Sequence, residues 1–266
     1  MSFTHATLPH LETRVMRLGI ASNYGISADD VRYAAERGVG YWLHAGRRGR
    51  AISEGLREAL RSEREKHVVS YVHSSFWGGQ VRRAVESALR ELGTDYLDIY
   101  KLGWLGTGSR YSQGIIDALQ ALVAEGKLRA FGTSIHDRQR AGRLAADSPL
   151  DVFMIRYNAK HPGAEQDIFP HLAARDPVVV AYTATAWRQL LRPVRGVEQP
   201  PLSAAQCYRF CLTSPHVHVV LSGPRDRAEL DQNLAALEQG PLEGDELARV
   251  RAYGAEIKAK RKLDYL

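Results

Sequence analysis

The chain has 266 residues, of which 44% are hydrophobic and 25% are charged, and its formal net charge is +6. This composition argues against a disordered chain and a membrane protein, and no apolar run approaches the roughly 18 to 20 residues that a membrane-spanning helix needs. The first ten residues lack the basic and apolar segments of a secretion signal, so we expect a cytoplasmic protein.

The positive charge would suit an anionic ligand such as a phosphorylated cofactor. No basic stretch is interleaved with aromatic residues, so the sequence does not predict a nucleic-acid partner. Cys207 and Cys211 lie four residues apart in a helical segment and lack the spacing of metal ligands. We expect two buried free thiols and no metal site.

Short apolar or β-branched segments recur along the chain, roughly every 25 to 35 residues, and helical patterns follow them. Such an alternation is typical of a parallel α/β fold. Eight of these segments closing on themselves predict a single (β/α)8 barrel, a TIM barrel, over residues 13–266, with an N-terminal leader over residues 1–12. The predicted strands are residues 15–21, 38–43, 67–72, 96–102, 129–133, 152–157, 177–182 and 217–221.

Several predicted helices carry recognisable ends. Ser27 and Ser203 are typical N-cap residues, and Gly38, Gly93 and Gly126 are typical residues just beyond a helix C-terminus. They bound helices predicted over residues 28–37, 81–92, 115–125 and 204–212. In a barrel of this kind the functional site lies on the loops that follow the strands.

Two long stretches carry a family resemblance. Residues 83–100 (RAVESALRELGTDYLDIY) and 118–134 (ALQALVAEGKLRAFGTS) resemble the fourth- and fifth-strand segments of the aldo-keto reductases. Residues 156–158 and 180–182 fit the sixth and seventh strands of that family, and residues 222–233 fit the phosphate loop after its eighth strand. The resemblance covers nearly the whole chain and implies an (β/α)8 fold and NADP(H) as cofactor.

At the nicotinamide end, the resemblance sets Ser134 against a serine that holds the carboxamide and Tyr182 against the aromatic residue beneath the ring. Ile135 and Met154 replace the asparagine and glutamine that complete the family's pattern. The resemblance therefore implies a nicotinamide that is held less tightly than in other members.

The adenosine-phosphate end keeps more of the family's pattern. Residues 182–188 depart from it, since they replace the usual Ser-Pro-Leu loop, and Trp187 could cover a cofactor or substrate ring. The candidate residues for the adenosine-phosphate end are Gly223, Arg225, Gln232 and Asn233, with Arg227 as an added cation.

The family reduces carbonyls with a tyrosine as general acid, a lysine and an aspartate that tune it, and a histidine that orients the substrate. The resemblance sets Arg48 against the tyrosine, Leu43 against the aspartate, Val72 or His73 against the lysine and Gly103 against the histidine. General acid catalysis contributes about 10² to 10⁴ in rate, and a guanidinium cannot replace the tyrosine as a proton donor. We therefore expect a divergent member without this catalytic tetrad.

Other groups at the predicted strand ends could carry chemistry. His44 and His73 could act as general acids because histidine titrates near neutral pH. Arg48 and Arg156 would give a cationic pocket that suits a small, anionic substrate. Nothing in the sequence names that substrate or the oligomeric state.

Three functions stay open on these grounds. The first is an NADP(H)-dependent oxidoreductase that acts by non-standard chemistry on a small carbonyl- or imine-type substrate. The second is a non-redox lyase or isomerase that uses the histidines and arginines of the barrel mouth. The third is a catalytically inactive sensor of NADP(H) or a metabolite.

Overall fold

Eight parallel strands close into a barrel in the computed structural model, which describes residues 2–260 apart from the side chains of Asn23, Arg47 and Arg48. Each strand pairs with the next one along the chain, and the last pairs with the first. This order confirms the predicted (β/α)8 fold. The barrel strands are β3 (Leu18–Ala21), β4 (Tyr41–His44), β5 (Val68–His73), β6 (Leu97–Leu102), β7 (Leu128–Ile135), β8 (Val152–Arg156), β9 (Val178–Tyr182) and β10 (Val219–Ser222).

An antiparallel hairpin precedes the barrel. Its strands are β1 (His5–Leu8) and β2 (Thr13–Met16), which pair from His5 with Met16 to Leu8 with Thr13. The predicted strand 15–21 was therefore wrong in extent, because its first half belongs to the hairpin and only its second half to the barrel. Residues 5–8 of the predicted leader form β1, which pairs with β2. Leu8, Leu11 and Val15 pack into the barrel interior, where they close its amino-terminal end.

Helices follow the strands, and the predicted N-caps Ser27 and Ser203 are confirmed, whereas α4 and α5 begin three and two residues before the predicted starts at residues 81 and 115. The Ser27 side chain accepts a hydrogen bond from the backbone of Asp30, and Ser203 forms a reciprocal capping box with Gln206. Cys207 and Cys211 are buried and free. In the described residues, no helix is both long and apolar enough to cross a membrane. The helices are α1 (Ala28–Glu36), α2 (Arg50–Leu56), α3 (Ala59–Ser62), α4 (Gly78–Leu92), α5 (Gln113–Ala124), α6 (Arg138–Asp147), α7 (Ala164–Asp167), α8 (Ala204–Thr213), α9 (Arg227–Ala235) and α10 (Gly244–Lys260).

Successive side chains of each strand alternate between the barrel interior and the surrounding helices. In β4, Tyr41 and Leu43 belong to the interior cluster, whereas Trp42 packs in the outer cluster with the helices. The same parity places Val68 and Val72 of β5 in the interior. This period of two decides which residues at the strand ends can reach the barrel mouth.

Lys101 of β6 is the exceptional residue of this interior. Its side chain is fully buried, and its Nζ lies 3.3 Å from Met154 Sδ and 3.5 Å from Tyr41 Oη. Lys101 forms no salt bridge with a carboxylate in the part of the chain that the structure describes. Burial lowers the pKa of Lys101 from its ordinary value to about 7 because a charged ammonium is poorly solvated there.

A second buried charge, Asp98, ties neighbouring strands together at the amino-terminal end of the barrel. Its carboxylate accepts hydrogen bonds from Arg64 at 2.7 Å, from Arg129 at 2.9 Å and from the backbone of Val69 at 2.9 Å. The carboxylate is therefore fully paired. Removing it would leave two guanidinium groups without their counter-charge.

We predict that Asp98→Asn lowers the free energy of unfolding by about 3 kcal/mol, because it removes the charge from a buried ionic network while keeping its shape. Urea denaturation followed by circular dichroism measures this change. Asp95→Asn, at an exposed position three residues earlier, is the matched control and should stay within about 0.5 kcal/mol of the parent. Equal effects of the two variants would contradict the role of the network.

We predict that Lys101→Met stabilises the protein in a pH-dependent way. The folded-state pKa of Lys101 is about 7, whereas the unfolded value is near 10.4, so the unfolded chain holds an extra proton between these values. The penalty is therefore full below pH 7 and is relieved as the pH rises, by about 1.4 kcal/mol per unit. The gain in the free energy of unfolding from Lys101→Met should be large at pH 6.5 and small near pH 10.

Lys160→Met is the control for that experiment. Lys160 is also buried, but its ammonium donates a hydrogen bond to Gln189 at 2.8 Å. Its removal should destabilise the protein at both pH values, since Gln189 loses its partner. A Lys101→Met variant that was no more stable than the parent at pH 6.5 would contradict a charged, unpaired Lys101.

Candidate active site

Five apolar side chains form the floor of the barrel mouth. Each occupies an interior position near the carboxyl end of its strand and is 4–7% exposed, whereas interior residues deeper in the barrel, such as Val68 and Val178, are fully buried. The floor is thus the layer at which the interior meets the mouth. It consists of Ala21, Leu43, Val72, Met154 and Leu221.

A cavity of 430 Å³ extends from this floor across the loops after β3, β9 and β10. Its wall includes Leu43 and Leu221 of the floor together with five of the predicted cofactor residues. Those five are Tyr182, Gly223, Arg225, Gln232 and Asn233. The fold therefore brings these five residues together, although Tyr182 and Asn233 lie 51 positions apart in the chain.

The far end of the cavity is built by β10 and α9. The amide of Asn233 donates a hydrogen bond to Ser222 at 2.9 Å, and the guanidinium of Arg225 pairs with Glu229. A side chain at Gly223 would collide with the Tyr24 ring, because a Cβ there would lie 2.2 Å from Tyr24 Cδ2. Only glycine lets the two loops approach this closely.

Arg227 stands apart from this cavity. Its Nε donates to Asp30 of α1 at 3.0 Å, and its guanidinium lies over the ring of Tyr33. The cavity wall does not include it. The predicted contribution of Arg227 to a phosphate site therefore has no support in this geometry, unlike that of Arg225.

The other end of the cavity holds Tyr182, which lies in register with Arg156. Tyr182 Oη and His136 Nε2 are 2.9 Å apart, and burial raises the pKa of Tyr182 to about 12 while the charge of Arg156 opposes this rise. Burial and the charge of Arg156 both lower the pKa of His136. Ser134 Oγ lies beside the Tyr182 hydroxyl, and it is buried without a hydrogen bond of good geometry to any described residue.

The loop after β9 is strained. Thr183, Ala186, Trp187 and Arg188 all have φ between 49° and 64°, in the left-handed region that L-residues seldom adopt. Trp187 is 49% exposed and lines the cavity, and Thr183 Oγ1 is buried without a partner among the described residues. Strain and unpaired polar atoms of this kind are typical of functional sites.

The residues that the resemblance sets against the family's catalytic positions form an apolar surface. Leu43 and Val72 belong to the floor, and a Cβ on Gly103 would lie 3.2 Å from Val72 Cγ2, so the three positions meet on one side of the mouth. Of the two candidates for the lysine position, Val72 faces the interior, whereas His73 faces outward. The match of these residues to the family's tetrad stays a prediction.

The predicted proton donors His44 and His73 point away from the mouth. His44 is fully buried among the helices, where its Nε2 lies 2.7 Å from Ser53 Oγ and 3.5 Å from Glu91. Burial lowers the pKa of His44, and Glu91 opposes this shift. The imidazole of His73 is half-buried and bonds to Ser75 at 3.1 Å. Each histidine directly follows an inward-facing residue of its strand, so its side chain points outward and does not reach the cavity.

The side chain of Arg48, the third predicted catalytic residue, lies outside the described residues. Sequence reasoning missed Lys101. The sequence could have indicated this residue, because Lys101 lies two positions after Ile99 in the same strand and side chains two positions apart face the same side. Since Ile99 faces the interior, Lys101 does too. A lysine at an inward position of a barrel strand is unusual enough to mark the residue for attention.

The chain is similar to known proteins in both sequence and fold. The profile of the Aldo/keto reductase family matches residues 15–193. The chain is 33% identical over 221 residues to the methylglyoxal reductase YeaE of Escherichia coli, which covers 78% of this chain and 76% of that protein. Among solved structures, it is similar to an aldo-keto reductase from Klebsiella pneumoniae in complex with NADPH, at 25% identity, a TM-score of 0.75 and coverage of 98% and 99% of the two chains.

An aldo-keto reductase from Bacillus halodurans in its holo form shares the fold, with a TM-score of 0.79 at 19% identity over 98% of both chains. The profile match covers more than half of the chain, and the relative from Escherichia coli extends over more than two thirds of it. Together with the closed eight-stranded barrel, these findings show that the chain belongs to the aldo/keto reductase family.

Proposed function

We propose that the protein is an NADP(H)-dependent oxidoreductase that acts on a small carbonyl- or imine-type substrate without the family's usual catalytic tetrad. The observation that carries this proposal is the cavity that joins Tyr182 at the barrel mouth to Gly223, Arg225 and Asn233. The solved structure from Klebsiella pneumoniae, at 25% identity, holds NADPH. A family member with NADPH and a cavity built from the matching residues support the same cofactor here.

The residues present fit this cofactor. Ser134 Oγ is a buried hydroxyl that still needs a partner, and a nicotinamide carboxamide would supply one. The ring of Tyr182 offers an apolar face to the nicotinamide, while Arg225, Gln232 and Asn233 would hold the adenosine-phosphate end. When bound, the cofactor supplies or accepts a hydride. The protein's part is to hold the two reactants in place and to exclude water from the mouth.

A paired substitution tests the adenosine-phosphate end. Arg225→Ala should weaken NADPH binding by about 10- to 100-fold, because charge-assisted hydrogen bonds to phosphate are worth about 1.5–3 kcal/mol. NADH binding should change less, since NADH lacks the 2′-phosphate. Arg227→Ala is the matched control, because Arg227 pairs with Asp30 outside the cavity wall. Calorimetric titration measures both, and a larger loss with Arg227→Ala would reverse the assignment.

Catalysis must then rest on what the mouth contains. Arg156 and His136 are the polar groups next to Tyr182, and the guanidinium of Arg156 is suited to bind a substrate oxygen or a carboxylate. His136 Nε2, which lies 2.9 Å from the Tyr182 hydroxyl, accepts a proton when the imidazole is neutral and donates one when the imidazole is protonated, so the imidazolium would supply the proton that the reduced substrate oxygen takes up. We infer that Arg156 orients a small, anionic substrate and stabilises the oxygen that gains charge as the hydride arrives.

Small 2-oxoaldehydes are the first substrates to test, because the relative from Escherichia coli is a methylglyoxal reductase. With methylglyoxal and NADPH, Arg156→Gln should lower kcat/KM at least about tenfold by removing a charge-assisted contact, with little change in the Kd for NADPH. His73→Gln, at the rim but facing outward, should leave kcat/KM unchanged. Equal losses in both variants would show that Arg156 has no specific role.

One observation favours the sensor as a second candidate. The apolar surface of Leu43, Val72 and Gly103 offers no proton donor at the positions that the resemblance sets against the tetrad. A protein that binds NADPH tightly and oxidises it with no carbonyl or imine would be such a sensor. The lyase or isomerase has less support, since His44 and His73 do not reach the mouth.

A further inference from the structure

The ammonium group of Lys101 lies in the barrel interior against the floor of the barrel mouth, next to Met154. Its Nζ contacts Sδ of Met154 at 3.3 Å, and Met154 belongs to the floor and is paired in register with Ser134. The neighbouring strand residue in register is Val72, another member of the floor. One layer of apolar side chains therefore separates Lys101 from the place where Ser134 and Tyr182 would hold a nicotinamide.

Few groups around Lys101 can neutralise or share its charge. On β4 it faces the hydroxyl of Tyr41, whose pKa burial raises above its usual range, so that group stays neutral. On β8 it faces the thioether of Met154, and on β5 and β7 its register partners are Val72 and Gly132. Among the described residues, no carboxylate faces Lys101 from these four strands.

Among the described residues, the titratable groups nearest the proposed nicotinamide position are His136, Tyr182 and Arg156, and the same cavity is also lined by Tyr24, whose pKa burial raises. Arg156 carries a constant charge, and the pKa of Tyr182, at about 12, keeps that group neutral in the working range. Burial and the charge of Arg156 both lower the pKa of His136, which favours its neutral form. Lys101, whose pKa burial lowers to about 7, therefore loses its charge as the pH rises from 7 to 9.

We propose that Lys101 makes the cavity discriminate between the two redox states of the nicotinamide, favouring the neutral reduced ring over the positively charged oxidised ring. This inference rests on the proposed NADP(H) site. A positive charge beneath the floor, in a medium of low polarity, repels a second positive charge much more than it would in water. Lys101 is a specificity-determining residue in this account, since it acts through the floor without touching the ligand.

The discrimination should depend on pH in a defined direction. Below pH 7 Lys101 is charged and disfavours the oxidised cofactor, and as the pH rises above 7 it becomes neutral and the preference declines. By linkage, binding of NADP⁺ near pH 7 should drive a proton off Lys101, whereas binding of NADPH should not. The 2′-phosphate is common to both nucleotides, so its own protonation cancels in the comparison.

Calorimetric titration of the intact protein with NADPH and with NADP⁺, at pH 6.5, 7.5 and 9, tests the inference. The ratio of the two Kd values should favour NADPH about threefold more at pH 6.5 than at pH 9, since a pKa of about 7 limits the cost of removing the proton from Lys101 at pH 6.5. In Lys101→Met the ratio should be independent of pH, with tighter NADP⁺ binding at pH 6.5. Titration at pH 7 in buffers of different ionisation enthalpy should show proton release with NADP⁺ in the parent and none in this variant.

Met154→Leu is the matched control, because it changes the floor above Lys101 and leaves the charge in place; it should keep the pH-dependent ratio. In Lys101→Gln, as in Lys101→Met, the ratio of the two Kd values should be independent of pH. Because the two new side chains differ in shape and polarity but both lack the charge, the same result in both would assign the effect to the charge. Binding of both nucleotides with the same pH dependence in the parent and in Lys101→Met would overturn this inference and leave the cofactor site intact. Failure of both nucleotides to bind the parent would overturn the proposed function and this inference with it.

Discussion

The alternation of side chains along a closed barrel strand is the constraint on which the whole site depends. Once the strands close, each residue faces either the interior or the helices, and a shift of one position moves it from one to the other. Leu43 and Val72 reach the mouth for this reason, and their neighbours His44 and His73 do not. The alternation therefore places Leu43 and Val72 in the floor of the mouth, and it directs the side chains of His44 and His73 away from the barrel interior.

This constraint also explains which parts of the fold and of the site could be predicted from the sequence alone. Spacing and resemblance predicted the barrel, the helix ends at Ser27 and Ser203, and the residues that gather along the cavity from Tyr182 to Asn233. The boundary of the first barrel strand was wrong because residues 13–16 and 18–21 are both extended. Extended segments look alike whether they pair in a hairpin or in a barrel.

Three of the candidate site residues, His44, His73 and Arg227, lie outside the cavity wall. Histidine was attractive at residues 44 and 73 for its chemistry, but chemistry does not tell which way a side chain points. Arg227 was attractive as a cation near a phosphate loop, yet it pairs with Asp30 of a helix nearly 200 positions away. Lys101 was overlooked because its neighbours in the chain are apolar, and only the closed barrel reveals that it has no acidic partner among the described residues.

An apolar floor separates the cation of Lys101 from the cofactor cavity. The position of the nicotinamide above this floor is therefore the central claim. A crystal structure of the protein grown with NADPH tests this most directly. We predict the carboxamide on Ser134, the ring against Tyr182 over the floor, and the 2′-phosphate at Arg225. Electron density for the nucleotide elsewhere on the protein, or a cavity without nucleotide in crystals of a protein saturated with NADPH in solution, would contradict the account.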